Sequence, residues 1–116
     1  MDDHRAQRVS LAVKEELGEL IGFEMDDPRL ADVSVTSVEV SPDMRHCHVK
    51  VAVDGGQDKK SLAALEHAKN FLRHELASRL NLRRIPELHF VLDSHPDADS
   101  RIDFLLRRAR RNKARE

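Results

Sequence analysis

The sequence predicts an α+β domain in which a three-stranded sheet is covered by helices on one face. Two observations support this class. Apolar residues recur at helical spacing near residues 9–21 and 62–80, and they alternate with polar residues near 33–41, 45–53 and 88–92. The elements therefore follow one another as helix, strand, strand, helix and strand, with a further short helix near the end of the chain.

The composition limits the chain to one small domain with a modest core. It has 116 residues, of which 35% are charged and only 3% are aromatic. The single cysteine excludes an internal disulfide, and no apolar run approaches the ~20 residues that a membrane-spanning helix needs. A cytoplasmic protein that does not associate with membranes is therefore expected.

The near-neutral net charge conceals two halves of opposite sign. Residues 1–60 carry 8 Lys and Arg against 13 Asp and Glu, which is 8 − 13 = −5, and residues 61–116 carry 12 against 8, which is 12 − 8 = +4. A chain with this asymmetry can present a basic surface to a polyanion while it remains close to neutral in sum.

The first helix and the hairpin follow from the apolar pattern. Gly22 follows the first apolar stripe and is expected to end that helix in the left-handed conformation. In the first strand Val33 and Val35 have the opposite parity from Val38 and Val40, so one extra residue near positions 36 and 37 is needed to keep a single buried face. In "RHCHVKVAV", the second strand, cysteine and valines alternate with histidines and lysine, which predicts one buried and one polar face.

The second helix has an irregular apolar stripe. An unbroken stripe would place an apolar residue between Leu65 and Leu72, but the sequence has Lys69 there. Either Lys69 extends from the edge of a continuous helix, or the helix is interrupted at 68–70 with Asn70 as the pivot. We favour the interruption, which would turn Phe71 inward, and expect the segment to stop at about Leu80 and Asn81.

The last part of the chain contains a third strand and a basic tail. Leu88, Phe90 and Leu92 alternate after Pro86, which suits the start of a strand. A short helix with Ile102, Leu105 and Leu106 as its apolar residues is then expected. We divide the chain into a domain at 1–106 and a basic C-terminal tail at 107–116.

Five stretches of this sequence resemble the ribosome-binding factor A family, the bacterial factors of small-subunit maturation. They are "RVSLAVKEELGELI", "DPRL", "VSVTSVEVSPDMR", "HAKNFLRHELASRLNLRRIPELHFVLD" and "RIDFLL", and the similarity covers residues 5–106. The resemblance implies a KH-like (type II) α-β-β-α-α-β domain without the glycine-rich clamp loop of ordinary KH domains. It also implies an interhelical kink at Ala68, Lys69 and Asn70, where Asn70 takes the place of the family's glycine.

The same resemblance implies a function and partners. The protein would associate with free 30S subunits and their precursors, bind 16S rRNA and assist late rRNA processing and small-subunit maturation. It would act as a monomer without a cofactor and would not be an enzyme. The alternatives are a KH-like module acting on other RNAs, and a protein-interaction module that uses the acidic stretch "FEMDDPRLAD".

Cations near the end of the second helix and in the tail are the candidate RNA-binding residues. Arginine side chains suit phosphate oxygens because their donors are planar and paired. The candidates are Lys69, Arg73, Arg79, Arg83, Arg84, Arg107 and Arg108. The competing interpretation is that these side chains form local ion pairs, for example with Glu75 or Glu87. Arg5 and Arg8 oppose the dipole at the start of the first helix, which is a further hint of an outside partner.

No catalytic residue and no metal site is expected. His46 and His48 share one strand face, but Cys47 points away, the other histidines are scattered in the sequence, and zinc usually needs three or four ligands. Asp26, Asp27 and Asp32 have no nucleophile or phosphate-binding loop beside them, so a solvated loop is the simpler interpretation.

Overall fold

The structure, a computed structural model, describes residues 3–93 and Leu106. The elements in chain order are α1 (Asp3–Glu19), a π-helical turn (Leu20–Glu24), a 3₁₀ turn (Pro28–Leu30), β1 (Val33–Val40), β2 (His46–Val53), α2 (Asp58–Leu80) and β3 (Glu87–Leu92). The predicted α+β class is confirmed. The expected C-terminal helix and the tail lie outside the described residues, except for Leu106, which is helical and exposed.

The three strands form one sheet with β2 in the centre. β1 pairs with β2 antiparallel, and β2 pairs with β3 parallel. Cys47, Val49 and Val51 of β2 are fully buried, whereas His46, His48 and Lys50, which alternate with them, are exposed. Side chains of a strand alternate between its faces. The helices therefore cover one face of β2, and the described residues leave its other face, with His46, His48 and Lys50, open.

The expected irregularity in β1 is present at the predicted place. The register with β2 shifts between Val35 and Ser37, so that Thr36 is the extra residue. Val35 then pairs with Val51 and Val38 with Val49, which places valines of both parities on the covered face. The Thr36 hydroxyl lies 2.7 Å from Asp93 Oδ2 and 3.2 Å from the Lys50 carbonyl oxygen, so the bulge is held from the end of β3 as well as from β2.

The end of α1 differs from the prediction. Gly22 does not stop the helix, because the chain continues through the π-helical turn and leaves it at Met25, whose backbone is extended (φ −86°, ψ 126°). The Met25 N–H donates to the carbonyl of Leu20 at 2.8 Å and closes the wider turn. A left-handed residue is therefore not required at Gly22.

The expected interruption of the second helix is wrong. α2 is one helix from Asp58 to Leu80, so the chain has a single α2 where the α-α pair was expected. Asn70 does not have a positive φ, and Phe71 is 51% exposed instead of turned inward. Ala68 explains the error, since it lies three residues after Leu65 and four before Leu72 and packs against the core. The stripe is therefore continuous but narrow at this point.

The expected stop after α2 is confirmed at Asn81. Its backbone is left-handed (φ 53°, ψ 42°), and its N–H donates to the carbonyl of Ala77. Asparagine tolerates this conformation better than most residues. The chain turns sharply here and enters the loop that leads to β3.

The core lies between the covered face of the sheet and the two long helices. Its fully buried residues from the helices include Val13, Leu17, Leu65, Leu72 and Leu76. The free thiol of Cys47 is completely buried among them, and this burial raises its pKa to about 12, so the side chain behaves as a small apolar group. Among the residues described, no helix has the length and apolar character needed to cross a membrane.

Candidate nucleic-acid interface

The corner between α2 and β3 presents two arginines to solvent. Asn81 ends α2 in a turn, and Arg83 and Arg84 follow it in a loop that contains no regular structure. Both side chains are exposed, and neither forms a salt bridge with any residue in 3–93. Their neighbours Ile85 and Pro86 are half-buried and buried, which anchors the loop and fixes where the two guanidinium groups emerge.

Arg73 holds this corner from the inside. Its Nη2 donates to the carbonyl oxygen of Ile85 at 3.1 Å, and its Nε is buried with no hydrogen-bond partner among the described residues. The side chain thus spans from α2 to the loop that carries Arg83 and Arg84. Its hydrogen bond to Ile85 holds the loop against α2. Arg73 therefore positions the candidate surface and is not one of its exposed cations.

Arg79 is occupied by acidic side chains of the N-terminal region. Its Nη1 lies 2.7 Å from Glu24 Oε2 and 3.2 Å from Glu16 Oε2, and its Nη2 also donates to Glu24. The Arg79 hydrogen bond holds the pKa of Glu24 below its usual range, and the two glutamates raise the pKa of Arg79. Arg79 therefore joins the end of α2 to the end of α1 and is not available to phosphate in this arrangement.

Lys69 lies at the edge of the buried stripe of α2. Its Nζ is 2.8 Å from Glu66 Oε2, one turn earlier on the same helix, and 24% of its side chain is exposed. This is the arrangement of a lysine whose stem covers apolar surface while its head stays in water. The alternative of local ion pairing thus describes Lys69. Arg79 has one local partner, Glu75 at 4.0 Å, but its shorter ion pairs are with residues distant in the chain. Local ion pairing does not describe Arg83 or Arg84.

A groove extends the candidate surface from the corner to α1. It has a volume of about 280 Å³ and is lined by Arg5, Arg8, Val9, Ala12, Leu80 and Leu82. Leu82 immediately precedes Arg83, so the basic first turns of α1 adjoin the corner across the end of α2. The unfavourable position of Arg5 and Arg8 at a helix start is the one sequence signal that points to this juxtaposition.

The polar face of the sheet holds a second cluster that was not predicted from the sequence. His46, Glu87 and His89 have donor atoms that all lie within 4.8 Å of one another. The expectation that the remaining histidines are scattered is thus wrong for His89, which the parallel pairing of β2 and β3 brings beside His46.

The two candidate cations of the tail, Arg107 and Arg108, lie outside the described residues.

Comparisons with known proteins agree with this architecture. A family model described as "Ribosome-binding factor A" matches residues 5–106. A protein of that name from Solibacter usitatus is 60% identical over 118 residues, covering 100% of this chain and 96% of its own, and one from Thermomicrobium roseum is 38% identical, covering 100% and 92%.

Solved structures give the same result. The crystal structure of ribosome-binding factor A from Thermus thermophilus matches with a TM-score of 0.68 and 31% identity, covering 75% of this chain and 94% of its own. A homology model of the Thermus thermophilus factor, fitted into the cryo-EM map of its complex with the 30S subunit, matches with a TM-score of 0.56 and 30% identity, covering 69% and 90%. The fold is therefore KH-like, with the helix and strand order described above.

Proposed function

The chain belongs to the ribosome-binding factor A family, and from that premise we propose that it binds free 30S subunits and their precursors and assists late 16S rRNA processing and small-subunit maturation. The relative that was fitted into the map of a 30S complex supports this choice of partner. The protein would act as a monomer in the cytoplasm, where bacterial subunits are assembled.

One observation supports placing the RNA contact at the corner between α2 and β3. Of the five candidate cations within the described residues, only Arg83 and Arg84 are exposed without an ion pair or an assigned hydrogen bond among residues 3–93. Two adjacent guanidinium groups on an anchored loop can contact two or more phosphate oxygens without first breaking an internal ion pair. We therefore place the centre of the interface at this corner, with the groove beside Arg8 as its extension.

The mechanism proposed is binding and not catalysis. RNA helices are recognised mostly by shape and through their backbone, which requires cations in a fixed arrangement and few aromatic side chains. The corner supplies such an arrangement because Arg73 ties its backbone to α2. The domain would hold a local arrangement of rRNA during maturation and would leave when that arrangement is no longer exposed.

The test compares two charge reversals of equal size. Arg83→Glu with Arg84→Glu changes the corner, and Lys59→Glu with Lys60→Glu changes two exposed cations in the first turn of α2. Lys59 and Lys60 lie in the first turn of α2 and the corner follows its last turn, and a helix of 23 residues is roughly 34 Å long at about 1.5 Å per residue. We expect the corner variant to bind purified 30S subunits at least 10-fold more weakly at moderate salt, and the control variant to lose much less affinity.

Both variants should keep the thermal stability of the parent chain, because all four side chains are exposed. Equal affinities of a folded corner variant and the parent would contradict the placement of the interface.

Sedimentation of cell lysate separates the proposed function from that of a general RNA-binding module. The protein should travel with free small subunits and precursors, and its presence mainly with other RNA would contradict the proposed function.

A further inference from the structure

The open face of the sheet carries two short stretches with the same polar alternation. "HCH" at 46–48 lies in β2 and "ELH" at 87–89 lies in β3. Parallel pairing sets His46 opposite Glu87 and His48 opposite His89. Since Cys47 and Leu88 point into the core, all four polar side chains project from the open face within two adjacent strands.

These side chains are close enough to share one ligand. Nδ1 of His46 lies 3.0 Å from Nε2 of His89. A carboxylate oxygen of Glu87 and one ring nitrogen of each histidine all lie within 4.8 Å of one another. The His48 ring stacks on the His89 ring, with centroids 5.0 Å apart and planes inclined by 23°. His89 is half-buried, between the exposed His46 and His48 rings that contact it.

The donor set and its spacing suit a divalent transition metal. Zinc bonds to histidine nitrogen and carboxylate oxygen are about 2.0–2.2 Å long, which places the donors of a tetrahedral site about 3.3 Å apart. The two histidine nitrogens are 3.0 Å apart and no separation within the cluster exceeds 4.8 Å, so side-chain rotations would bring all three donors to that spacing. Imidazole favours zinc, nickel and copper, whereas magnesium prefers oxygen ligands and water.

We propose that His46, Glu87 and His89 form a binding site for a divalent transition metal, with Zn²⁺ as its representative ion and solvent completing the coordination. The site joins β2 to β3 through side chains, in addition to their backbone hydrogen bonds. It lies on the open sheet face and uses none of the residues assigned to RNA contact. A test of the metal site is therefore independent of the test of the proposed function.

The test is a calorimetric titration of the chelator-treated full chain with ZnCl₂, and with MgCl₂ as the comparison ion. We expect one Zn²⁺ to bind per chain and no binding heat with Mg²⁺. His46→Ala and His89→Ala should each weaken Zn²⁺ binding at least 10-fold, and Glu87→Gln should weaken it several-fold while preserving side-chain size. His67→Ala, which removes an exposed histidine from α2, is the matched control and should leave binding unchanged.

Circular dichroism establishes that each variant is folded, and backbone amide shifts of the parent chain locate the ion. Shifts confined to β2 and β3 on addition of ZnCl₂ support the site. Absence of Zn²⁺ binding by the folded parent would overturn the proposal. Unchanged binding by both folded His46→Ala and His89→Ala would also overturn it, because the ion would then be held elsewhere in the chain.

Discussion

Ser10 connects α1 to the end of β1 through a single hydroxyl group. It donates to the carbonyl of Ala6 at 2.7 Å and accepts the N–H of Val40 at 2.9 Å. We expect Ser10→Ala to lower the free energy of unfolding by about 1 kcal/mol, because the Val40 N–H loses its acceptor and the better helix propensity of alanine offsets only part of that loss. Urea unfolding monitors the change, with exposed Ser78→Ala on α2 as the control.

In the control only the propensity gain applies, so Ser78→Ala should be neutral or slightly stabilising. If both substitutions had the same effect, the hydroxyl bridge would contribute nothing to stability.

Asn70 and Asn81 show how the same residue type is used in opposite ways. Asn81 is left-handed and ends α2, whereas Asn70 is an exposed residue within the helix. Asn70→Ala should therefore raise stability by about 0.5 kcal/mol, and Asn70→Gly should lower it by a few tenths. Thermal melts of the two variants in one buffer give the order, and a glycine variant more stable than the alanine variant would point to a broken helix after all.

The elements divide into those that the sequence predicts and those that depend on neighbours. The bulge at Thr36 was predictable because a period of two makes a change of parity visible in the order of the valines. The continuity of α2 was not predictable. Alanine is common on both buried and exposed helix faces, so Ala68 did not indicate an apolar stripe in the sequence, although it packs against the core in the structure. The π-helical turn after α1 likewise has no marker in composition or spacing.

The end of α2 and the end of α1 are held together by Arg79. Glu24 has a depressed pKa in the folded chain, chiefly because of its hydrogen bond to Arg79. A depressed carboxyl pKa stabilises the fold at pH values above its ordinary value of 4.5, and this contribution disappears as the pH falls through the folded-state pKa. Arg79→Gln should therefore lower the Tm at pH 7, and its difference from the parent should shrink in acid.

Arg84→Gln supplies the control for this ion pair, since Arg84 forms no salt bridge among residues 3–93 and its replacement should leave the Tm unchanged. Adding Glu24→Gln to Arg79→Gln should have little further effect. A Tm difference for Arg79→Gln that stays constant from pH 7 to pH 3 would contradict the role assigned to the pair.

Across the whole molecule, the sequence predicts the basic corner but not which of its cations are available. Arg83 and Arg84 are exposed in the loop between α2 and β3, as the helix-to-strand transition in the sequence predicts. Arg79 is neutralised by Glu16 and Glu24, which lie 63 and 55 residues away in the chain, and only the tertiary structure brings them together. The meeting of His46 and His89 depends in the same way on a parallel register that neither strand specifies by itself.

The basic tail at 107–116 is the remaining candidate for RNA contact. We expect its deletion to weaken binding to 30S subunits and to flatten the salt dependence of that binding. The slope of log affinity against log salt should decrease in magnitude by roughly 0.7–0.9 for every phosphate that the tail neutralises. Titrations at several salt concentrations measure the slope, and an unchanged slope after deletion would exclude the tail from the interface.

The parallel pairing of β2 with β3 has a consequence for the order of folding. β1 and β2 are joined by a short turn. In contrast, paired residues of β2 and β3 are separated by 41 residues in the chain, as His46 and Glu87 are (87 − 46 = 41). Closing the longer loop costs more chain entropy, and the cost falls when α2 has already formed within it. The hairpin and α2 should therefore gain protection from amide exchange before β3 does, which pulse-labelled refolding can resolve. A chain emerging from synthesis would then have its central strand paired only with β1 until residue 92 is free. During that interval the unpaired edge of β2 is open to pairing with another chain.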